Sequence, residues 1–172
     1  MTAQIYWINS SDENRGAGQL GIMAKPNASV SIEQEFDSIA AQGVNQLVSL
    51  LENAEATEAG LKQESMHCQM RDIEFLQFSI RDYGVPQNTQ SFIELIQRID
   101  EGLALGFNTV AHCWGGIGRS GILCSAVLIY RGDSLATALG RLASARGSSV
   151  PDTQAQVSYL ESLELQLNRL RM

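Results

Sequence analysis

Apolar positions along the chain follow two rhythms that take turns. Ile5 to Ile8 (IYWI) and Leu20 to Met23 (LGIM) are short apolar runs separated by a polar, glycine-containing stretch, the pattern of two strands joined by a turn. After Lys25-Pro26, residues Ile32, Phe36, Ile39 and Ala40 recur at helical spacing, and Gly43 supplies a stop. NQLVSLL (45–51) reads as a buried strand, and AEATEAGLKQES (54–65) as one short, largely solvated helix. IEFLQFSI (73–80) alternates as a further strand and runs into the turn signal RDYGVP. Phe92, Ile96, Ile99 and Leu103 then share one helical face, and NTVAHC returns to strand. Three helical patterns close the chain: Gly121 to Tyr130, Leu135 to Leu142, and Val157 to Leu170. In the last, Leu160, Leu163, Leu167 and Leu170 form a core-facing stripe.

This order predicts an α/β fold: a single domain over residues 1–172, with a central, mostly parallel sheet of about four to five strands and helices on both faces. Ligands of such folds bind beyond the C-terminal ends of the strands. Composition leaves that picture intact, with 44% hydrophobic and 18% charged residues. Charge narrows the partners. With 12 basic against 19 acidic residues the net charge is −7, which argues against a nucleic-acid partner or an anionic membrane surface, though not against a local basic site. No apolar stretch reaches membrane-spanning length, and the N-terminus lacks the basic start and apolar core of a signal peptide, so a reduced, cytoplasmic setting is expected. Cys68, Cys113 and Cys124, odd in number and unrelated in spacing, fit neither a disulfide framework nor a zinc site. No metal or cofactor is expected.

The chemistry concentrates in HCWGGIGRSG, residues 112–121. A strand ends at Cys113, five residues follow, and Arg119-Ser120 open a helix. Gly115, Gly116 and Gly118 permit the positive φ angles and close backbone approach of a tight anion cradle. Successive N–H groups, backed by the helix dipole, can converge on one anion, and an arginine fork can take two phosphate oxygens. The same positive field favours a reactive thiolate at Cys113. A Walker loop is excluded, because Arg119 stands where its lysine would be.

HCWGGIGRSG resembles the His-Cys-x5-Arg-[Ser/Thr] signature of the protein tyrosine phosphatases. It is closest to the compact dual-specificity-like branch that includes the kinase-associated phosphatases. FSIRDYGVP is similar to the acid loop that precedes the signature in that family. The resemblance implies that Cys113 attacks phosphorus and forms a cysteinyl-phosphate, while Asp82 protonates the departing oxygen. Arg119 and the loop residues Trp114, Gly115, Gly116, Ile117 and Gly118 would hold the phosphate, or a sulfate or vanadate in its place. Ser120 would stabilise the leaving thiolate, and His112 would help set the loop's hydrogen bonds and the thiol pKa. RGSSVPDTQAQVSYL resembles a later loop of the family that positions water. There Gln156 is the supporting candidate, and Asp152 is read as an N-cap after Pro151.

Asp72 competes with Asp82 for the acid's role but precedes its strand, at the far end of the sheet. Trp114 and Ile117 either rim the pocket or pack on the sheet. Cys68 and Cys124 read as inert packing, His67 as a surface or turn histidine, and Arg81 as a solvated arginine. The substrate class implied is a phosphorylated protein or peptide, since the five loop residues carry none of the lysines that meet polyphosphorylated inositols. Two alternatives stay open: a rhodanese-like sulfurtransferase, and a non-catalytic phosphoprotein-binding module.

Overall fold

A computed structural model of the chain describes residues 2–8 and 18–172. Strands β1 (Tyr6–Ile8), β2 (Leu20–Met23), β3 (Gln46–Ser49), β4 (Glu74–Gln77) and β5 (Thr109–His112) form one sheet in the order β1-β2-β5-β3-β4. β2, β5, β3 and β4 are parallel, and β1 pairs antiparallel with β2 at the edge. The turn expected between β1 and β2 falls mostly outside the described residues. The helices are α1 (Ile32–Ala41), α2 (Asn53–Glu58), α3 (Glu64–Gln69), α4 (Thr89–Ala104), α5 (Gly118–Tyr130), α6 (Leu135–Arg146) and α7 (Gln154–Leu170). This is the mostly parallel sheet, clad on both faces, that the alternating pattern predicts.

Successive strand residues point to opposite faces, so each buried strand feeds two cores. Leu20, Ile22, Val48 and Ala111 join Phe92, Ile96 and Ile99 of α4 and the apolar residues of α5 and α7 in one cluster. Met23, Leu47 and Val110 join Phe36 and Ile39 of α1 and Cys68 of α3 in the other. α5 is buried on every side from Gly118 to Ile129, as a helix enclosed between a sheet and other helices requires. In α7, Leu160, Leu163 and Leu167 are buried, but Leu170 is 54% exposed, so the expected stripe ends one turn early.

Three local expectations are corrected. Residues 54–65 do not make one solvated helix: α2 stops at a turn where Gly60 takes φ 73°, and α3 begins beyond it with Glu64, His67 and Cys68 buried. His67 is therefore no surface histidine, since it is stacked on Phe36 with ring centroids 5.3 Å apart. The N-cap of α7 is Thr153, not Asp152. Its hydroxyl accepts from the Gln156 N–H while the Gln156 carboxamide accepts from the Thr153 N–H, a reciprocal cap that threonine provides where the Asp152 side chain does not.

The C-terminal ends of β2, β3, β4 and β5 lie along one edge, with Met23, Ser49 and His112 in register. The segments that follow them converge there. Packing fixes this edge from below. A Cβ on Gly102 of α4 would lie 2.6 Å from the Gln46 carboxamide oxygen, which also accepts from Thr109 Oγ1 at 2.7 Å. Gln46 donates in turn to Glu74 at 2.6 Å, so it cannot swing aside freely. Gly102→Ala should therefore destabilise the protein by about 1–2 kcal/mol in urea unfolding, overpacking outweighing the gain in helix propensity.

Candidate active site

The loop after β5 is pinned from outside. The Lys25 N–H donates to the Trp114 carbonyl at 3.1 Å. Arg146, in the last turn of α6, donates to the carbonyls of Gly115 and Gly116, each at 3.2 Å, with its guanidinium carbon 4.3 Å from the centroid of the Tyr6 ring. Across a trans peptide the N–H points opposite to the carbonyl. Holding these three carbonyls outward thus turns the N–H groups of Gly115, Gly116 and Ile117 away from those anchors, the arrangement an anion cradle needs. Of the three loop glycines, Gly116 alone takes a positive φ, 71°, and a Cβ there would strike the Met23 backbone at 2.4 Å. A Cβ on Gly118 would meet an Asp152 carboxylate oxygen at 2.3 Å, whereas Gly115 has open space. Trp114 is 38% exposed, with Lys25 Nζ 4.9 Å from its ring centroid, whereas Ile117 packs against the core.

Cys113 is 3% exposed at the base of this loop, and Ser120, one turn into α5, has a buried hydroxyl with no hydrogen-bond partner among the described residues. Arg119 is buried as well, and its charge is met on several sides. Nη1 donates to Glu55 Oε2 at 2.7 Å and to the Ile80 carbonyl at 2.9 Å, and Nη2 donates to Glu55 Oε1 at 2.9 Å and to Asp82 Oδ1 at 3.2 Å. Burial by itself would ease this guanidinium's deprotonation. The Glu55 hydrogen bonds and the charges of Cys113, Glu55 and Asp82 outweigh it and hold its pKa above the ordinary value. Burial acts on Glu55 in the opposite sense, but its bonds to Arg119 and to the Glu52 N–H lower its pKa overall.

Asp82 follows β4 in a loop whose next residue, Tyr83, sits in the left-handed region at φ 57° and donates its N–H to Asp82 Oδ1 at 3.1 Å. Gln156 ties that loop to α7. Its Nε2 donates to the Gly84 carbonyl at 3.1 Å, while its Oε1 accepts from the N–H groups of Asp152 and Thr153. Asp72 precedes β4, at the opposite end of the strand from Asp82. His112 is wholly buried, Nε2 being 2.6 Å from Glu64 Oε1 and Nδ1 3.1 Å from the Cys113 carbonyl. Burial pushes the Cys68 thiol up to about 12, with the Glu64 charge adding to it, and drives the Cys124 thiol higher still. Neither is an effective nucleophile.

Over the site lies a cleft of about 400 Å³ lined by Glu52, Glu55, Glu58, Arg81, Asp82 and Trp114. The structure thus brings Cys113, Arg119, Ser120, Asp82 and His112 to one edge. It adds Glu55, Glu64 and Arg146, which the sequence reading did not single out. Among the described residues, no helix is long and apolar enough to cross a membrane.

The sheet, with a cysteine and a buried arginine in the segment after β5 and an aspartate from a neighbouring strand end against the arginine, has the layout of a dual-specificity-like phosphatase. The comparisons agree. A family model described as "Polymorphic toxin system, DSP-PTPase phosphatase" matches residues 21–133, and the chain belongs to that family. It is 26% identical over 164 residues to cyclin-dependent kinase inhibitor 3 of Rattus norvegicus, covering 91% of this chain and 76% of that protein. Its fold matches that of kinase associated phosphatase, solved with its catalytic-site cysteine replaced by serine. The TM-score is 0.87 at 22% identity, over 98% of this chain and 97% of the other. Tk-PTP in its active form matches with a TM-score of 0.73 at 29% identity, over 96% and 99%. The chain is thus an enzyme, a protein phosphatase of the dual-specificity type.

Glu55→Gln should remove one ionic partner of Arg119 and lower kcat/KM at least tenfold, a charge-assisted hydrogen bond contributing about 1.5–3 kcal/mol. The pH dependence of stability tests the same pair. The Glu55 pKa is depressed in the folded state, so its contribution is complete above the unfolded carboxylate value of about 4.3 and fades as pH falls through the lower folded value. Thermal denaturation should show the wild-type advantage over Glu55→Gln at neutral pH and its loss in that acid range.

Proposed function

We propose that this phosphatase hydrolyses phosphomonoesters on proteins or peptides, phosphotyrosine foremost, by a two-step, metal-independent exchange through Cys113. The observation that carries the reading is the 3.2 Å contact between Arg119, in the loop-and-helix segment that begins at Cys113, and Asp82, which comes from a different strand end and lines the cleft. In the first step the Cys113 thiolate attacks phosphorus. A sulfur–phosphorus bond forms, the bond to the substrate oxygen breaks, and the protonated Asp82 carboxyl gives its proton to that oxygen. Arg119 and the loop N–H groups hold the non-bridging oxygens and stabilise the charge that spreads over them.

In the second step water attacks phosphorus, Asp82 takes its proton, and the sulfur–phosphorus bond breaks. The thiolate that departs accepts a hydrogen bond from Ser120, whose buried hydroxyl is otherwise unclaimed. Gln156 supports the acid loop by donating one Nε2 N–H to the Gly84 carbonyl, while its Oε1 is held by the N–H groups of Asp152 and Thr153. Phosphate, sulfate and vanadate fit the same cradle.

The cleft favours a singly phosphorylated side chain. Glu52 and Glu58 at its rim repel additional phosphates, and Arg81 is the cation among its lining residues. Trp114, exposed at the rim, offers a flat face to an aromatic leaving group.

In chelator, the wild type should hydrolyse para-nitrophenyl phosphate and a phosphotyrosine peptide, and Cys113→Ser should abolish both activities. Asp82→Asn should cost about 10²–10⁴-fold in kcat for the peptide. It should cost less for para-nitrophenyl phosphate, whose leaving group needs little help from an acid. A folded, reduced wild type that is inert on both substrates, or faster on a polyphosphorylated inositol headgroup than on the peptide, refutes the reading.

A further inference from the structure

Among the described residues the cleft over the loop is lined by Glu52, Glu55, Glu58, Arg81, Asp82 and Trp114. Five of these are charged, so the apolar surface that a substrate meets there comes from the indole of Trp114. A side chain that is 38% exposed ordinarily keeps its rotamer freedom, and ordering it costs binding energy. This one is held in advance.

Lys25 holds it at two points. Its N–H donates to the Trp114 carbonyl at 3.1 Å, and its Nζ lies over the indole, 4.9 Å from the ring centroid. That is within the roughly 6 Å over which an aromatic face attracts a cation. The sequence Ala24-Lys25-Pro26 explains why Lys25 is a firm support. A residue before proline is confined to extended backbone, and Pro26 is buried. The segment leaving β2 also packs flush on the loop, for a Cβ on Gly116 would lie 2.4 Å from the Met23 backbone and 2.5 Å from that of Ala24. The Lys25 side chain therefore leaves a fixed backbone beside the ring. Its ammonium is not among the groups lining the cleft, so it braces the indole without filling the space a substrate needs.

We propose that Lys25 is a positioning residue that fixes the Trp114 indole as the apolar wall of the cleft, and that this wall selects aryl over alkyl phosphates. The inference rests on the reading of the site as a phosphomonoesterase and deepens it, making phosphotyrosine preferred over phosphothreonine. A phosphotyrosine ring can lie along the indole while its phosphate reaches the loop. A phosphothreonine side chain offers the indole a methyl group in place of a ring face, and gains less from it. Lys25 acts only through Trp114. Because a ring already set loses little freedom when substrate arrives, its effect falls on binding.

Two peptides that differ only in carrying phosphotyrosine or phosphothreonine at one position test this. The readout is the ratio of their kcat/KM values, which general damage to the loop would leave in place. The wild type should favour phosphotyrosine, and Trp114→Leu should cut that preference about threefold to tenfold. Lys25→Met keeps the N–H that holds the Trp114 carbonyl and removes only the cation. It should cut the preference about threefold, through KM rather than kcat. Lys25→Arg, whose guanidinium also stacks on aromatic faces, should restore it. Binding is read without turnover in Cys113→Ser, whose tryptophan emission should change with the phosphotyrosine peptide and not with its counterpart. The change should vanish in Cys113→Ser/Trp114→Leu, where Trp7 is the tryptophan left. A wild type without the preference overturns the inference, as does a preference unmoved by Lys25→Met or an emission change that both peptides produce alike. Each of these outcomes leaves the phosphatase standing. Should a variant not fold, the wild-type ratio and the Cys113→Ser emission decide. A wild type inert on both peptides overturns the phosphatase reading instead, and this inference with it.

Discussion

The Arg119 guanidinium carries a full positive charge at 1% exposure, and much of the architecture around it answers that fact. A buried cation without partners is too costly to keep, so the fold meets it with Glu55 in two hydrogen bonds, the Ile80 carbonyl, and Asp82 at a longer distance. Those partners belong to α2 and to the segment leaving β4, which are far apart in the chain and adjacent only because β3 and β4 are neighbours in the sheet. In the proposed reaction the same charge that must be neutralised for folding also meets the incoming phosphoryl group. Glu55 fixes the fork, which leaves less side-chain freedom to be lost when an anion binds.

The loop is built by the complementary tactic of occupying its carbonyls. The Arg146 guanidinium and the Lys25 backbone N–H engage the outer oxygens, so donors outside the ring of N–H groups help to shape the cradle within it. Gly116 is required by its backbone angle and by the Met23 backbone, and Gly118 by Asp152. The loop's glycines thus have distinct reasons for being bare, and Gly115 has none imposed by the protein itself.

Strand alternation and the loop motif were legible in the sequence because both are local. Val110 and Ala111 face opposite cores as a period of two demands, and Cys113, Arg119 and Ser120 are a few residues apart. Glu55, Glu64 and Arg146 were not legible, since each works through a partner 30 or more positions away. Glutamate-rich residues 54–65 looked solvated because composition is silent on which carboxylates turn inward. His67 misled for the same reason. The cap at Thr153 was missed because two adjacent polar residues, Asp152 and Thr153, both suit an N-cap, and the reciprocal Gln156 contact chooses between them.

The active edge is drawn from residues spread over positions 25–156: Lys25 after β2, Glu55 on α2, Asp82 after β4, Cys113 and Arg119 around the loop, Arg146 on α6 and Gln156 on α7. A chain emerging from the ribosome therefore holds Cys113 long before it holds the arginine that shapes the loop or the glutamine that tethers the Asp82 loop. Until those last helices dock, the nascent chain lacks an assembled catalyst. Enzymatic turnover accordingly reports the synthesis and docking of α6 and α7, and truncation before α6 should silence the enzyme even where the signature is intact.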